Sequence, residues 1–269
     1  MTHTASSAAR EVSDHPALET LARAGYAVNG LLHLVIAWIA IRVAMGLGGE
    51  ADQGGALEAL RDAPAGEVLL WVGVLGYAGL ALWQVLEAAL GFHPGASTES
   101  LADRAKDLGK GVVYGALAWT TYQFATGGSS DSGETTSDVT AMLMGAPMGQ
   151  ALVLALGLAV IGVGGYHVWK GATQKFLQDL RGNADGDLGR AVVLAGTAGY
   201  IAKGIALGVV GVLFCVAAWT TDAEEATGLD GALKTLAGNP VGTTLLVVIA
   251  TGFVAYGLYS FARARYARL

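Results

Sequence analysis

One cysteine, Cys215, stands in a chain of 269 residues, and it lies inside an apolar run. A lone thiol cannot form an intrachain disulfide, a CxxC redox pair or a thiolate zinc site, so Cys215 reads as a small buried side chain. Charge is scarce too: 14% of residues are Asp, Glu, Lys or Arg, against about 25% in ordinary soluble domains. The net charge is −6 and no basic stretch interleaves with aromatics, which leaves no nucleic-acid footprint. HExxH, GxSxG and a Walker lysine loop are missing, and with them the common routes to hydrolysis and phosphoryl transfer. Gly46-Leu47-Gly48-Gly49 matches a dinucleotide loop only in glycine count, because no strand precedes it. These absences point away from an enzyme and from a resident metal or cofactor. Residues 1–20 carry no early hydrophobic core, so no cleavable signal is expected.

What the chain has in quantity is apolar sequence. Hydrophobic residues make up 53% of it, gathered into runs near 20 residues long. About 20 such residues at 1.5 Å each cross a hydrocarbon core of about 30 Å. Glycine reaches 40 residues, an abundance that suits membrane bundles, where small residues let backbones approach. Six spans are expected, at 25–45, 68–90, 111–124, 150–169, 199–219 and 241–261. The third is the weakest. A polar leader precedes them, short helices at 56–63 and 231–236 lie between them, and 127–137 reads as a flexible acidic loop.

The spans repeat in pairs. Pro64, Pro147 and Pro240 are each followed two residues later by Gly66, Gly149 or Gly242 and preceded by four by Leu60, Leu143 or Leu236. An aromatic stands 19 residues after each proline (Trp83, Tyr166, Tyr259), and a charge 23 after (Glu87, Lys170, Arg263). The odd spans align on Gly30, Gly111 and Gly204, each preceded by Asn29, Lys110 or Lys203. Matches at fixed offsets in both halves of the unit establish an internal repeat. The expected domains are a leader at 1–21 and repeats at 22–92, 93–186 and 187–269. Each repeat crosses twice, so the copies are parallel and relate by an axis along the membrane normal. The predicted fold is all-α: a polytopic six-helix bundle with pseudo-threefold symmetry and short amphipathic helices on its outer side.

Thirteen of the 16 basic residues fall on the side of the termini and of the second and fourth connectors; Arg42, Arg61 and Lys234 fall on the other. The positive-inside rule then places both termini in the cytoplasm of a plasma-membrane protein.

Ala24-Gly25-Tyr26 with Gly30, Gly199-Tyr200 with Lys203-Gly204, and the Leu-to-Pro-x-Gly element before each even span resemble a bacterial, mostly actinobacterial, membrane-protein family. It is catalogued as domain of unknown function 1206 and usually holds three tandem copies. The resemblance runs from Ala22 to Tyr266 and implies six membrane helices in the plasma membrane; it supplies no activity. The second copy departs from the pattern, with Lys106-Asp107 in place of Gly-Tyr.

Polar groups at membrane depth are costly enough to raise a functional question. His33 and His167 are the histidines inside spans. Two imidazoles on facing helices are a possible haem or metal pair, but a satisfied hydrogen bond explains them without a cofactor and is preferred. Asn29, Lys110 and Lys203, with Glu87, Lys170 and Arg263, mark helix ends; snorkelling to headgroups accounts for them. The sharper reading is a ring of charges around the pseudo-threefold axis, with Glu87 pairing Lys110 or Lys203. Trp83, Tyr166 and Tyr259 read as interfacial aromatics, with a substrate-stacking trio as the alternative. Gly111-x-x-x-Gly115 and Gly204-x-x-x-Gly208 read as helix-packing faces.

The preferred function is a non-catalytic accessory, scaffold or envelope component of the plasma membrane. Its partners would be the lipid bilayer and a membrane protein or a second copy of the chain. The alternative is a transporter or channel along the threefold axis, as triplicated helix pairs form in mitochondrial-type carriers, although the carrier signature Pro-x-[Asp/Glu]-x-x-[Lys/Arg] is absent. Haem or lipid binding stands third.

Overall fold

The structure is a computed structural model that describes residues 16–90, 101–129, 131–181 and 186–267. Of the leader expected to be disordered over 1–21, residues 1–15 lie outside the described residues, whereas 16–21 already form the start of a helix; the helix break expected at His93-Pro94-Gly95 and the last arginine, Arg268, also lie outside them. Six long helices carry the fold: α1 (Pro16–Ala44), α3 (Gly66–Leu90), α4 (Leu101–Ala125), α6 (Gly149–Ala172), α7 (Gly186–Thr220) and α9 (Pro240–Tyr266). Three shorter ones, α2 (Gln53–Arg61), α5 (Ser132–Met144) and α8 (Gly228–Ala237), fall between the members of each pair. Among the described residues there is no strand.

Five long helices are apolar and long enough to cross a membrane. The exception is α4, whose first three turns carry Asp103, Arg104, Lys106, Asp107 and Lys110. Residues 101–110, expected as part of a charged connector, and the weakest span therefore form one helix. A second departure concerns 127–137: Asp131 accepts from the N–H groups of Gly133 and Glu134 at 2.8 and 2.9 Å and starts α5 there. A capping carboxylate outweighs the loop-like composition.

The spacing of the repeat has a steric cause. A Cβ at Gly66, Gly149 or Gly242 would strike the carbonyl oxygen of Leu60, Leu143 or Leu236, in each case the leucine six residues earlier. The short helix turns back onto the start of the next span through this contact, and only glycine leaves room for it. The first two copies reach it with a left-handed residue, Ala65 and Met148, both at φ 62°. The third instead caps with Asn239, whose Oδ1 accepts the Gly242 N–H at 2.8 Å, and places Pro240 in the first helical turn. Gly66→Ala and Gly149→Ala are each expected to cost about 1–3 kcal/mol, read as a lower thermal midpoint in detergent. Gly145→Ala, whose added Cβ would meet nothing closer than 3.5 Å, is the neutral control.

The long helices neighbour one another in the order α4, α3, α1, α9, α7, α6. Contact of α4 with α6 would close a ring; no comparable contact joins them. Between successive repeats the packing is regular. Gly30 lies on Gly257 of α9, Gly204 on Gly164 of α6, and Gly111 on Val85 and Ala81 of α3. Within a repeat, Gly25 seats α1 on Gly76 of α3, and Gly199 seats α7 on the backbone of Tyr256 in α9. The aligned residue in the second repeat is Lys106, and there the pair stays apart. The opening in the bundle thus lies where the repeat motif breaks down. The core sits on the opposite side: Leu32, Ile36, Tyr77, Leu246, Ile249 and Phe253 are buried between α1, α3 and α9, and Leu57 of α2 and Leu233 of α8 close over them.

Candidate functional site

The polar and aromatic residues collect at the end of the bundle that carries the termini, here called the basic end. The repeat builds this cluster with the same contact twice. Arg263 of α9 lies over the Tyr26 ring of α1 at 4.3 Å, and Lys170 of α6 lies over the Tyr200 ring of α7 at 5.2 Å. In both, the charge 23 residues after the proline meets the tyrosine of the next copy's Gly-Tyr. A cation over a ring is worth about 0.5–2 kcal/mol, more where water is excluded. At the remaining junction, between the first copy and the second, both partners differ: the charge is Glu87 of the first copy and the tyrosine of the second is replaced by Asp107. Asp107 is buried and accepts from the Lys110 ammonium at 2.7 Å.

A short 3-10 turn, Lys175–Asp179, covers the cluster. Phe176 is fully buried beneath it, stacked on Tyr200 at 5.4 Å and edge-on to Tyr259 at 5.2 Å. The Tyr259 hydroxyl donates to the Phe176 carbonyl at 3.3 Å. The turn ends by placing Asp179 against Lys170 at 2.6 Å, with Arg263 at 3.9 Å. Burial alone would push the Asp179 carboxyl up; Arg263 and Lys170 outweigh it and hold the group below the usual carboxylate value. Beyond the turn, the Arg181 N–H donates to the Tyr266 carbonyl at 2.6 Å, fastening this cover to the end of α9.

Of the six ring candidates, Lys170, Lys203 and Arg263 are brought together around Tyr200 and Tyr256. Lys203 lies over the Tyr256 ring at 4.6 Å and has no carboxylate within ion-pair distance among the described residues. Asn29 donates to the Ser260 hydroxyl at 3.4 Å. Lys110 takes Asp107, so neither pairing expected for Glu87 is among the described ion pairs; Glu87 has interactions of its own. The histidines do not meet. His33 contacts Tyr256 at 4.6 Å, Tyr256 contacts Tyr200 at 5.4 Å, and Tyr200 contacts His167 at 5.8 Å, so two phenol rings link the two imidazoles. Each imidazole donates Nδ1–H to the carbonyl four residues back, Asn29 for His33 and Val163 for His167, both at 2.8 Å. One shared metal ion between them does not fit that arrangement.

Two of the three expected interfacial aromatics keep surface: Tyr166 is 43% exposed and Trp83 is half-buried. Tyr259 is a correction, being 1% exposed, because the 3-10 turn folds over it. Of the two glycine faces, Gly111 and Gly204 make close contacts, whereas an added Cβ at Gly115 or Gly208 would meet nothing. Asp179, Phe176 and Tyr256 do not stand out in the sequence. Among the described residues no group of three or more His, Cys, Asp or Glu is placed to hold a metal ion.

The fold and this cluster define a multi-pass helical membrane protein made by triplication of a helix pair. The chain belongs to the family described as Domain of Unknown Function (DUF1206), which matches it three times, at residues 24–91, 106–174 and 198–267. It is also 28% identical over 256 residues to an uncharacterized protein, YxxB, of Bacillus subtilis (strain 168), an alignment that covers 93% of this chain and 92% of that one. No solved structure matches it.

Proposed function

We propose that the protein is a non-catalytic component of the plasma membrane, with both termini in the cytoplasm, that works by holding other membrane molecules rather than by turnover. The observation that carries this reading is the open second repeat. Among the described residues α6 has α7 as its one long-helix neighbour of substance, and α4 and α6 leave Trp119 and Leu158 62% and 57% exposed. Bundle helices that lack neighbours offer a side on which an accessory or scaffold protein docks another chain or a second copy of itself. The filled core between α1, α3 and α9, closed by α2 and α8, supports this role over a pathway along the bundle axis.

The test is site-specific photo-crosslinking in intact cells from positions 119 and 158, with Val248 of α9, 56% exposed and outside the second repeat, as control. Discrete protein adducts at 119 and 158 but not at 248 are expected, and an adduct of twice the chain mass identifies a second copy. Lipid-only labelling, equal at all three positions, would sink the reading. A phosphatase fused to the C-terminus is expected to stay inactive, as it does on the cytoplasmic side.

A further inference from the structure

The charges of the cluster do not balance. Lys170, Lys203 and Arg263 are all partly or largely buried at the basic end, and the carboxylate in contact with them is Asp179. Asp179 is taken by Lys170 at 2.6 Å and reaches Arg263 only at 3.9 Å. Lys203 has an aromatic ring and no carboxylate. The Arg263 Nε is buried with no hydrogen-bond partner. Among the described residues two positive charges therefore lack counter-charge. Lys203 lies 17 residues from the outer end of α7, about 25 Å at 1.5 Å per residue, which puts it inside the span rather than beyond its end. Uncompensated charge in such a place costs several kcal/mol per ion, and a bound anion removes that cost.

We infer that Lys203, Arg263 and Lys170 form a site for a phosphate-bearing anion, in which the free Nε edge of the Arg263 guanidinium and the Lys203 ammonium both donate to phosphate oxygens. A guanidinium fork matches phosphate geometry, and each charge-assisted contact is stronger than a neutral one. Tyr26 and Tyr256 hold the two cations in place through their ring faces. The bordering helices supply the approach. Lys110 and Tyr114 of α4 lie within electrostatic range of Asp179 and Arg263, and α4 and α6 are the two long helices that do not close on each other. A phospholipid in the bilayer reaches the cluster between them with its chains still in the hydrocarbon. A soluble phosphate compound presents the same chemistry from the aqueous side. The arginine fork and the lysine do not distinguish the two, so the source is decided by experiment.

The full chain is purified in a phosphate-free maltoside detergent and examined alone, with added phosphatidylglycerol, and with added inorganic phosphate balanced by chloride. The readouts are the thermal midpoint and the lipid adducts retained in native mass spectrometry. Phosphatidylglycerol is expected to raise the midpoint of the wild type. In Lys203→Gln adduct retention falls about tenfold, the loss of one charge-assisted contact, and Lys203→Arg restores it. Lys175→Gln, which removes an exposed cation outside the cluster, leaves the response intact. A rise with inorganic phosphate alone that Lys203→Gln abolishes supports the site and assigns it to a soluble anion. No rise with either anion, or equal responses of Lys203→Gln and Lys175→Gln, overturns it. Should Lys203→Gln not fold, Arg263→Lys keeps the charge but loses the fork, and an undiminished response in it overturns the site equally. The inference rests on the binding role proposed above. Discrete adducts at positions 119 and 158 without an anion response would remove the site and leave that role standing.

Discussion

Gly164→Leu is expected to detach α6 from the bundle. A Cβ at Gly164 would lie 2.6 Å from the Gly204 carbonyl oxygen and 3.0 Å from the Gly208 nitrogen, and one at Gly204 would lie 2.5 Å from the Gly164 oxygen. The obstacles are backbone on both sides, so no rotamer change relieves them and the helices must separate. Overpacking of this kind costs about 1–3 kcal/mol and sometimes more. Here the upper end applies, because no other long helix holds α6 to a comparable extent. Separation at Gly164 also loosens Gly157, which sits against Gly211 and Cys215 on the same seam. The native thiol is therefore the reporter. Cys215 should label faster with a membrane-permeant maleimide in Gly164→Leu, and the thermal midpoint should drop by several degrees. Gly165→Leu and Gly162→Leu supply the control, since an added Cβ there meets nothing within 4 Å. If all three variants behave alike, the close approach of α6 and α7 is not what holds the second repeat in place.

The seam between α6 and α7 shows why so much of the fold can be read from the chain alone. Backbone-to-backbone approach admits glycine and little else, so an approach that recurs leaves glycines at recurring offsets: Gly30 and Gly204 between repeats, with Gly111 at the same offset against the Val85 side chain, and Gly66, Gly149 and Gly242 at the turns. Where two helices stay apart the glycine is under no such constraint, and Lys106 marks the opening between α4 and α6 in the sequence itself. The basic end is only half legible. Lys170, Lys203 and Arg263 stand out because charge is rare in these helices. Their carboxylate, Asp179, sits on a single 3-10 turn with no period to detect, and its position is decided by Phe176 packing on Tyr200 and Tyr259. The same turn hides Tyr259, which by register alone belongs with the interfacial aromatics. Glu87 does not take Lys110, because that lysine has a nearer acid on its own helix, three residues back.

Asp179→Asn is expected to have the other large effect. The substitution keeps the shape of the turn and removes the carboxylate shared by Lys170 and Arg263, at 2.6 and 3.9 Å. Breaking a buried pair from one side leaves the remaining charges uncompensated, which typically costs 3–5 kcal/mol; with 29% of the Asp179 side chain exposed, about 3 kcal/mol is the figure to expect. Lys170→Gln with Asp179→Asn should cost less than the sum of the two single changes, since the pair is then removed together. The dependence on pH follows from the direction of the shift. The Asp179 carboxyl is held below its ordinary value of 3.8 in the folded chain, so the folded state binds this proton more weakly than the unfolded state does. Its contribution to stability is complete above that ordinary value and is lost as pH falls from there through the depressed folded one. Unfolding midpoints measured from neutral pH down to about pH 2 should therefore decline more steeply in the wild type than in Asp179→Asn below the ordinary aspartate value, with the two curves converging in acid. Parallel curves across that window would mean that the 3-10 turn is held by Phe176 alone and that Asp179 has no part in neutralising the cluster.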